Sequence, residues 1–164
     1  MVSYTATFAI EAPPRKVWRA LHPRVPDGAT VPRIFDYPAG SIEILYDGDD
    51  AGQGLVRTCV FPVPRYLLSG GKARSWEIVT EARIDEISRY VSISKPLWSR
   101  AEGFHRLAEQ PDGSTLLTFH ETYHVYNPAL RALLERRVHA KISADNLFTY
   151  QQTLGRAGTT RRVS

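Results

Sequence analysis

The sequence predicts an α+β fold: an antiparallel sheet of about seven strands and a long C-terminal helix, with one or two short helices after the first strand. Three observations predict it. Short segments that alternate apolar and polar residues recur between turn residues over 3–126. Residues 129–154 contain neither Gly nor Pro. Pro13-Pro14 interrupts the chain after the first alternating segment, where proline ends a strand and suits the first turn of a helix.

The elements follow in order. SYTATFAIEA (3–12) sets Tyr4, Ala6, Phe8 and Ile10 on one face, which reads as a half-buried strand. RKVWRALH (15–22) spaces Val17, Trp18 and Leu21 by one turn and reads as a helix. Pro23 and Pro26 break it, and the segment 23–40 is expected to form a shaped lid over any cavity. SIEILYD (41–47) sets Ile42, Ile44 and Tyr46 together, and QGLVRTCVF (53–61) follows the turn-rich DGDDAG. KARSWEIVTEA (72–82) alternates with Trp76, Ile78 and Ala82 expected inward and Glu77 and Glu81 outward. SRYVSISKP (88–96) is expected to turn Val91 and Ile93 inward, and SRAEGFHRLAE (99–109) is a further strand. PDGS (111–114) is a hairpin turn that delivers TLLTFHETYHVY (115–126). Asn127-Pro128 then supplies a favoured N-cap and first-turn pair for a helix of about 25 residues, which Gly155 ends.

The 164 residues suit one domain, expected over 1–155, with 156–164 a disordered basic tail carrying Arg156, Arg161 and Arg162. Apolar residues make up 43% of the chain and charged residues 23%, enough for a core and a wet surface. No apolar run reaches the roughly 18–20 residues of a membrane span, and no signal peptide is expected. The single cysteine, Cys59, excludes an internal disulfide and fits a cytoplasmic protein. The net charge of +4 comes partly from the tail, and basic residues elsewhere alternate with acids, so no nucleic-acid partner is expected.

HETYH (120–124) has the spelling of the zinc-binding H-E-x-x-H motif. Chelation requires a helix, where the two imidazoles lie roughly 6 Å apart on one face. On a strand they lie about 13 Å apart and cannot share an ion. The preceding hairpin turn, the β-branched and aromatic composition and the strict alternation all predict a strand. His120 and His124 then face outward, and no metal or other cofactor is expected. Glu121 falls on the inward face with Leu117, Phe119 and Tyr123. A carboxyl among apolar groups costs several kcal/mol unless it is paired or wet, so this face either lines a polar cavity or meets a cation.

At about 100° per residue the long helix aligns Leu130, Leu134, Val138 and Phe148. Lys141 and Asp145 fall within that stripe. Either they line a pocket with Glu121, or they form a surface pair on the helix flank.

The order of elements, with FAIEAPPRKVWRAL, GLVRTCVF and PDGSTLLTFHETYHV ahead of a long helix, resembles the START-like, Bet v 1-like superfamily of polyketide cyclase/dehydrase and lipid-transport proteins. The resemblance covers about residues 3–154 and implies a helix-grip fold. In that fold a curved sheet wraps the C-terminal helix around an elongated cavity. It implies a binding or carrier protein for a hydrophobic small molecule such as a lipid, polyketide or aromatic metabolite. The wall would comprise Phe8, Trp76, Ile78, Val91, Ile93, Phe119 and Tyr123, with Leu134, Val138 and Ile142 from the helix. Glu121, Lys141 and Asp145 would orient a polar end. The alternative is a metal-free cyclase or dehydratase with Glu121 as general base and Tyr123 or Lys141 polarising a carbonyl. A third reading is an interaction module, monomeric or homodimeric, with Trp18 and Trp98 as contact residues.

Overall fold

Residues 1–22, 34–37, 40–67 and 69–164 are described in the computed structural model, and the side chains of residues 35 and 37 are left aside. Most of the segment expected to form a lid therefore lies outside the described residues. The first alternating segment is β1 (Val2–Ile10), followed by α1 (Pro14–Leu21) with proline in its first turn. Then come β2 (Ile34–Tyr37), β3 (Gly40–Tyr46), β4 (Val56–Pro62) and β5 (Lys72–Arg83). β6 (Ile87–Lys95), β7 (Ser99–Glu109) and β8 (Thr115–Val125) complete the expected run of hairpins.

The long helix follows, in three parts. The Asn127 side chain accepts hydrogen bonds from the N–H groups of Ala129 and Leu130 and caps α2 (Pro128–Leu130). A π-helical turn spans Arg131–Glu135, and α3 (Arg136–Leu154) continues it. Glu135 in that turn is buried, and its Oε2 accepts the N–H of Val125 at 2.8 Å, tying the helix to the end of β8.

Among the described residues the strands form one antiparallel sheet of nine in the order β2-β3-β4-β5-β6-β7-β8-β1-β9. The α+β helix-grip architecture is the one expected, with an added strand at each edge. The strand at the second edge is a correction. Residues 156–164 are not a disordered tail: β9 (Thr160–Arg162) pairs with β1 in the register Phe8↔Arg162 to Ile10↔Thr160. Ala157 is buried in the core, and Thr7 exchanges backbone hydrogen bonds with Val163 and Ser164. The free edge of β1 offers unpaired N–H and C=O groups, and the final residues satisfy them.

One end of the interior is solid. Ala6, Phe8 and Ile10 of β1 pack with Val17 and Trp18 of α1, Leu117 of β8 and Leu154 of α3. Trp18, expected as a contact residue, is only 6% exposed and belongs to this core, whereas Trp98 is 59% exposed.

Two strands face the opposite way from expectation. In β5 the inward residues are Ala73, Ser75, Glu77 and Val79, and Trp76 and Ile78 look outward at 37% and 44% exposure. In β6 Tyr90 and Ser92 are buried, while Val91 is half-buried and Ile93 exposed. The outward side chains pack sideways on one another: Trp76 pairs with Ile93, and Ile78 with Val91 and Val56. The Lys95 ammonium lies 5.3 Å from the centre of the Trp76 ring. A register shift between Val79 and Glu81 brings Ala82 back to the inside, so that one residue of the expected set is inward.

The helix stripe is also rotated. Val138, Ile142, Ser143, Asn146, Thr149, Thr153 and Leu154 face the sheet or the cavity, and Phe148 is exposed. The true stripe lies about one residue, or roughly 100°, beyond the one counted from Leu130. The π turn accounts for this, because it adds a residue to one turn and shifts the phase of everything after it.

Candidate functional site

β8 places Leu117, Phe119, Glu121, Tyr123 and Val125 on the inner face, all buried, as the alternation predicts. HETYH is therefore extended. His120 lies on the outer face, hydrogen-bonded to Thr5 and stacked on Phe104. His124 lies beside Arg131, with Nε2 2.9 Å from that guanidinium. The helical spacing that a shared zinc ion requires is absent.

Between Phe119 and a second apolar cluster of Leu97, Tyr123, Val125 and Val138 the inner face is hollow. A cavity of about 200 Å³ lies between β3–β8 and α3, and Glu121 and Tyr123 line it. Its lining is more polar than a greasy wall. β4 and β5 contribute Arg57 and Glu77, directly opposite in register, with Arg57 Nε donating to Glu77 Oε1 at 2.7 Å. A second guanidinium nitrogen also contacts this carboxylate. Burial works against the charge on Arg57, but the Glu77 carboxylate more than offsets it and keeps the guanidinium charged. Ser75, Ser92 and Ser94 add hydroxyls from β5 and β6. Cys59 also lines the cavity; burial pushes its thiol up to about 11, so it is held as the thiol.

The centre of the site depends on a glycine. Tyr90, Gly103 and Glu121 lie side by side on β6, β7 and β8. A Cβ at Gly103 would sit 2.5 Å from the Tyr90 hydroxyl oxygen and 2.8 Å from the carbonyl oxygen of His120. Without it, the Tyr90 phenol lies across the middle strand and donates to Glu121 Oε2 at 2.6 Å. Burial raises the Glu121 carboxyl, the Tyr90 hydrogen bond lowers it, and Glu77 raises it again, to about 7. Burial and the neighbouring Glu121 together hold Tyr90 well above the ordinary phenol range.

A second pair lies alongside. His105 of β7 and Tyr150 of α3 are hydrogen-bonded through Nε2 and the phenol oxygen. Burial, with His22 and Arg57 nearby, holds His105 well below the usual imidazole range, so it is neutral. Tyr150 packs on Phe119 with ring centres 4.8 Å apart, and its hydroxyl is pushed well above the phenol range by burial and by Glu121.

Of the residues expected at the site, Glu121, Tyr123, Ile142 and Asp145 line the cavity. Phe8 and Phe119 are fully buried in or beside the solid core, and Val138 and Leu134 pack with Tyr123 and Val125. Trp76, Ile78, Val91 and Ile93 are on the far side of the sheet. Lys141 is turned away from the lining and donates to Asp145 at 2.6 Å, which is the surface-pair arrangement on the helix flank. Arg57, Glu77, Tyr90, His105 and Tyr150 are functional candidates that sequence reasoning missed. One signal was present: the lone Gly103 within a strand marks a close approach by a neighbouring group.

No protein-family model matches the chain, and no curated protein sequence does. Solved structures do. Ara h 8.0201 is similar with a TM-score of 0.63 at 17% identity, over 95% of this chain and 97% of that one. A conserved protein from Geobacillus kaustophilus is similar at a TM-score of 0.62 and 15% identity, over 98% and 99%. The di-domain ARO/CYC BexL from the BE-7585A biosynthetic pathway is similar at 0.62 and 16%, with 98% of this chain covering 50% of that one. Sheet, gripping helix and these likenesses agree, and the chain has the START-like, Bet v 1-like fold that its sequence resembles.

Proposed function

We propose that the protein binds a small organic molecule with an apolar body and several hydrogen-bonding groups in the cavity between the sheet and α3. The observation that carries this reading is the cavity itself, about 200 Å³ with Glu121 inside it. The polar lining favours an oxygenated aromatic or polyketide-like ligand over a simple lipid chain. Each buried hydroxyl and carboxyl in the wall needs a partner, and an alkyl chain supplies none. Thr149, whose hydroxyl is buried without a partner among the described residues, lines the same cavity. Native mass spectrometry of the protein purified without added ligand tests this. A retained small molecule is expected. An empty protein that also binds no aromatic probe at millimolar concentration counts against it.

A second reading has one observation in its favour. A carboxyl poised at about 7 is suited to act as a general base in a cyclase or dehydratase. Tyr123 and Tyr90 would be the polarising groups, and Lys141 has no part in it. Glu121→Gln separates the readings: a parent with turnover that the variant loses while binding is retained supports chemistry, and a parent that binds with no turnover supports a carrier.

A further inference from the structure

Glu121 is the one acid of the cavity wall without a cation beside it among the described residues. Glu77 is bound to Arg57 and Asp145 to Lys141. Glu121 is 7% exposed, and among the described residues its one hydrogen bond is the Tyr90 hydroxyl on Oε2. Aromatic rings surround it. Tyr90, Tyr123 and Tyr150 all line the cavity and lie close enough for their hydroxyls to feel the carboxylate. A carboxylate set among phenol rings is complementary to an organic ammonium, which gains an ion pair at the carboxylate and cation–π contact at the ring faces.

We infer that the cavity takes a primary or secondary amine attached to an aromatic body, with the ammonium against Glu121 and its body toward Tyr123 and Tyr150. This rests on the binding reading above and names its ligand class. A carboxylate ligand is disfavoured at the same place, because it would set a second acid beside Glu121 and Glu77 with Arg57 already committed.

The inference carries a proton signature. An ammonium needs the ionised carboxylate, so binding below pH 7 must expel the proton that Glu121 holds there. Of the other groups that face Glu121, the tyrosines, His105 and Arg57 keep one charge state between pH 6 and 8. Tyr4 of β1, opposite in register, and Tyr90, Tyr123 and Tyr150 are all held above the phenol range. His105 of β7 is held neutral, and Arg57 of β4 charged. Glu77 of β5 is hydrogen-bonded to Arg57 and Asp145 of α3 to Lys141, and His22 beside α1 packs edge-on to His105.

The test is isothermal titration of the full chain with three probes that share a phenol ring: tyramine, 4-ethylphenol and 3-(4-hydroxyphenyl)propionate. At pH 8 tyramine is expected to bind at least about tenfold more tightly than 4-ethylphenol, and the propionate more weakly than either. From pH 8 to pH 6 the tyramine affinity should fall about tenfold, with close to one proton released at pH 6 in buffers of different ionisation enthalpy. Glu121→Gln should remove the tyramine preference and keep 4-ethylphenol binding, which also shows that the variant is folded. Equal affinity for tyramine and 4-ethylphenol, or a preference that survives in Glu121→Gln, overturns the amine assignment and leaves the cavity reading standing. Failure of all three probes overturns the amine assignment, and together with a protein that is empty by native mass spectrometry it overturns the cavity reading as well.

Discussion

Strand β8 serves two interiors. Its first half, with Leu117, meets Phe8, Ile10, Val17 and Leu154 in a dry core. Its second half, with Glu121 and Tyr123, faces a cavity that holds an ion pair, four serines and a neutral histidine. The same alternation serves both, so the difference lies in what the neighbouring elements present. Against β1 and α1 the strand meets side chains that fill space; against β4–β7 it meets groups that need partners. The dry half is where stability is concentrated, and the wet half is where a ligand has something to bind.

The dry half can be broken directly. Phe8→Ala should destabilise the protein by about 4 kcal/mol, because the ring is fully buried and its site cannot collapse against a sheet. Chemical denaturation measures this, and a loss under about 1 kcal/mol would show that this end is not the stabilising one.

The wet half should respond through pH. The folded-state pKa of Glu121 is raised from 4.5 to about 7, so the folded protein holds a proton that the unfolded chain has released. The corresponding stability is full below about pH 4.5 and is lost as pH rises through 7. Glu121→Gln should therefore match the parent near pH 4 and exceed it by about 3 kcal/mol near pH 8. His105 works in the opposite sense: its stability contribution is present above the ordinary imidazole pKa and lost as pH falls. The difference between parent and variant isolates Glu121 from it. Parallel stability curves for the two proteins from pH 5 to 8 would rule out a buried, titrating carboxyl.

Gly103→Ala sharpens the contrast at a single atom. The new methyl overlaps the Tyr90 hydroxyl and should cost about 2 kcal/mol. It should also push the Glu121 pKa higher, because the hydrogen bond that lowers it is lost. Carboxyl chemical shifts followed through a pH titration report this; an unmoved midpoint would mean that Tyr90 does not hold the acid.

The smallest effect is expected outside both interiors. Trp98→Ala, at a side chain 59% exposed, should change stability by less than about 0.5 kcal/mol. Thermal melting checks it, and a large loss would reveal packing at that site.

Legibility followed the same division. The alternation of β1 and β8 was readable because their inward residues are mostly apolar, and Asn127-Pro128 announced the helix start through capping chemistry. β5 and β6 were misread because their inward residues are Ser75, Glu77, Tyr90 and Ser92, each tolerable inside only through partners on other strands or in the cavity. Periodicity finds the apolar side of a strand, and here that side faces out. The three-residue β9 has no pattern of its own; it forms because β1 offers an edge. The helix phase failed at the π turn, which leaves no mark in composition.

That turn has a consequence for how the interior could be rebuilt. Winding Arg131–Glu135 as ordinary α-helix with the length of the chain unchanged would screw the rest of the helix by about 100°. Ile142, Asn146 and Thr149 would then yield their places to Lys141, Asp145 and Phe148. A resident ammonium would enter from the helix side, and the pocket would arrive already neutralised by its own chain.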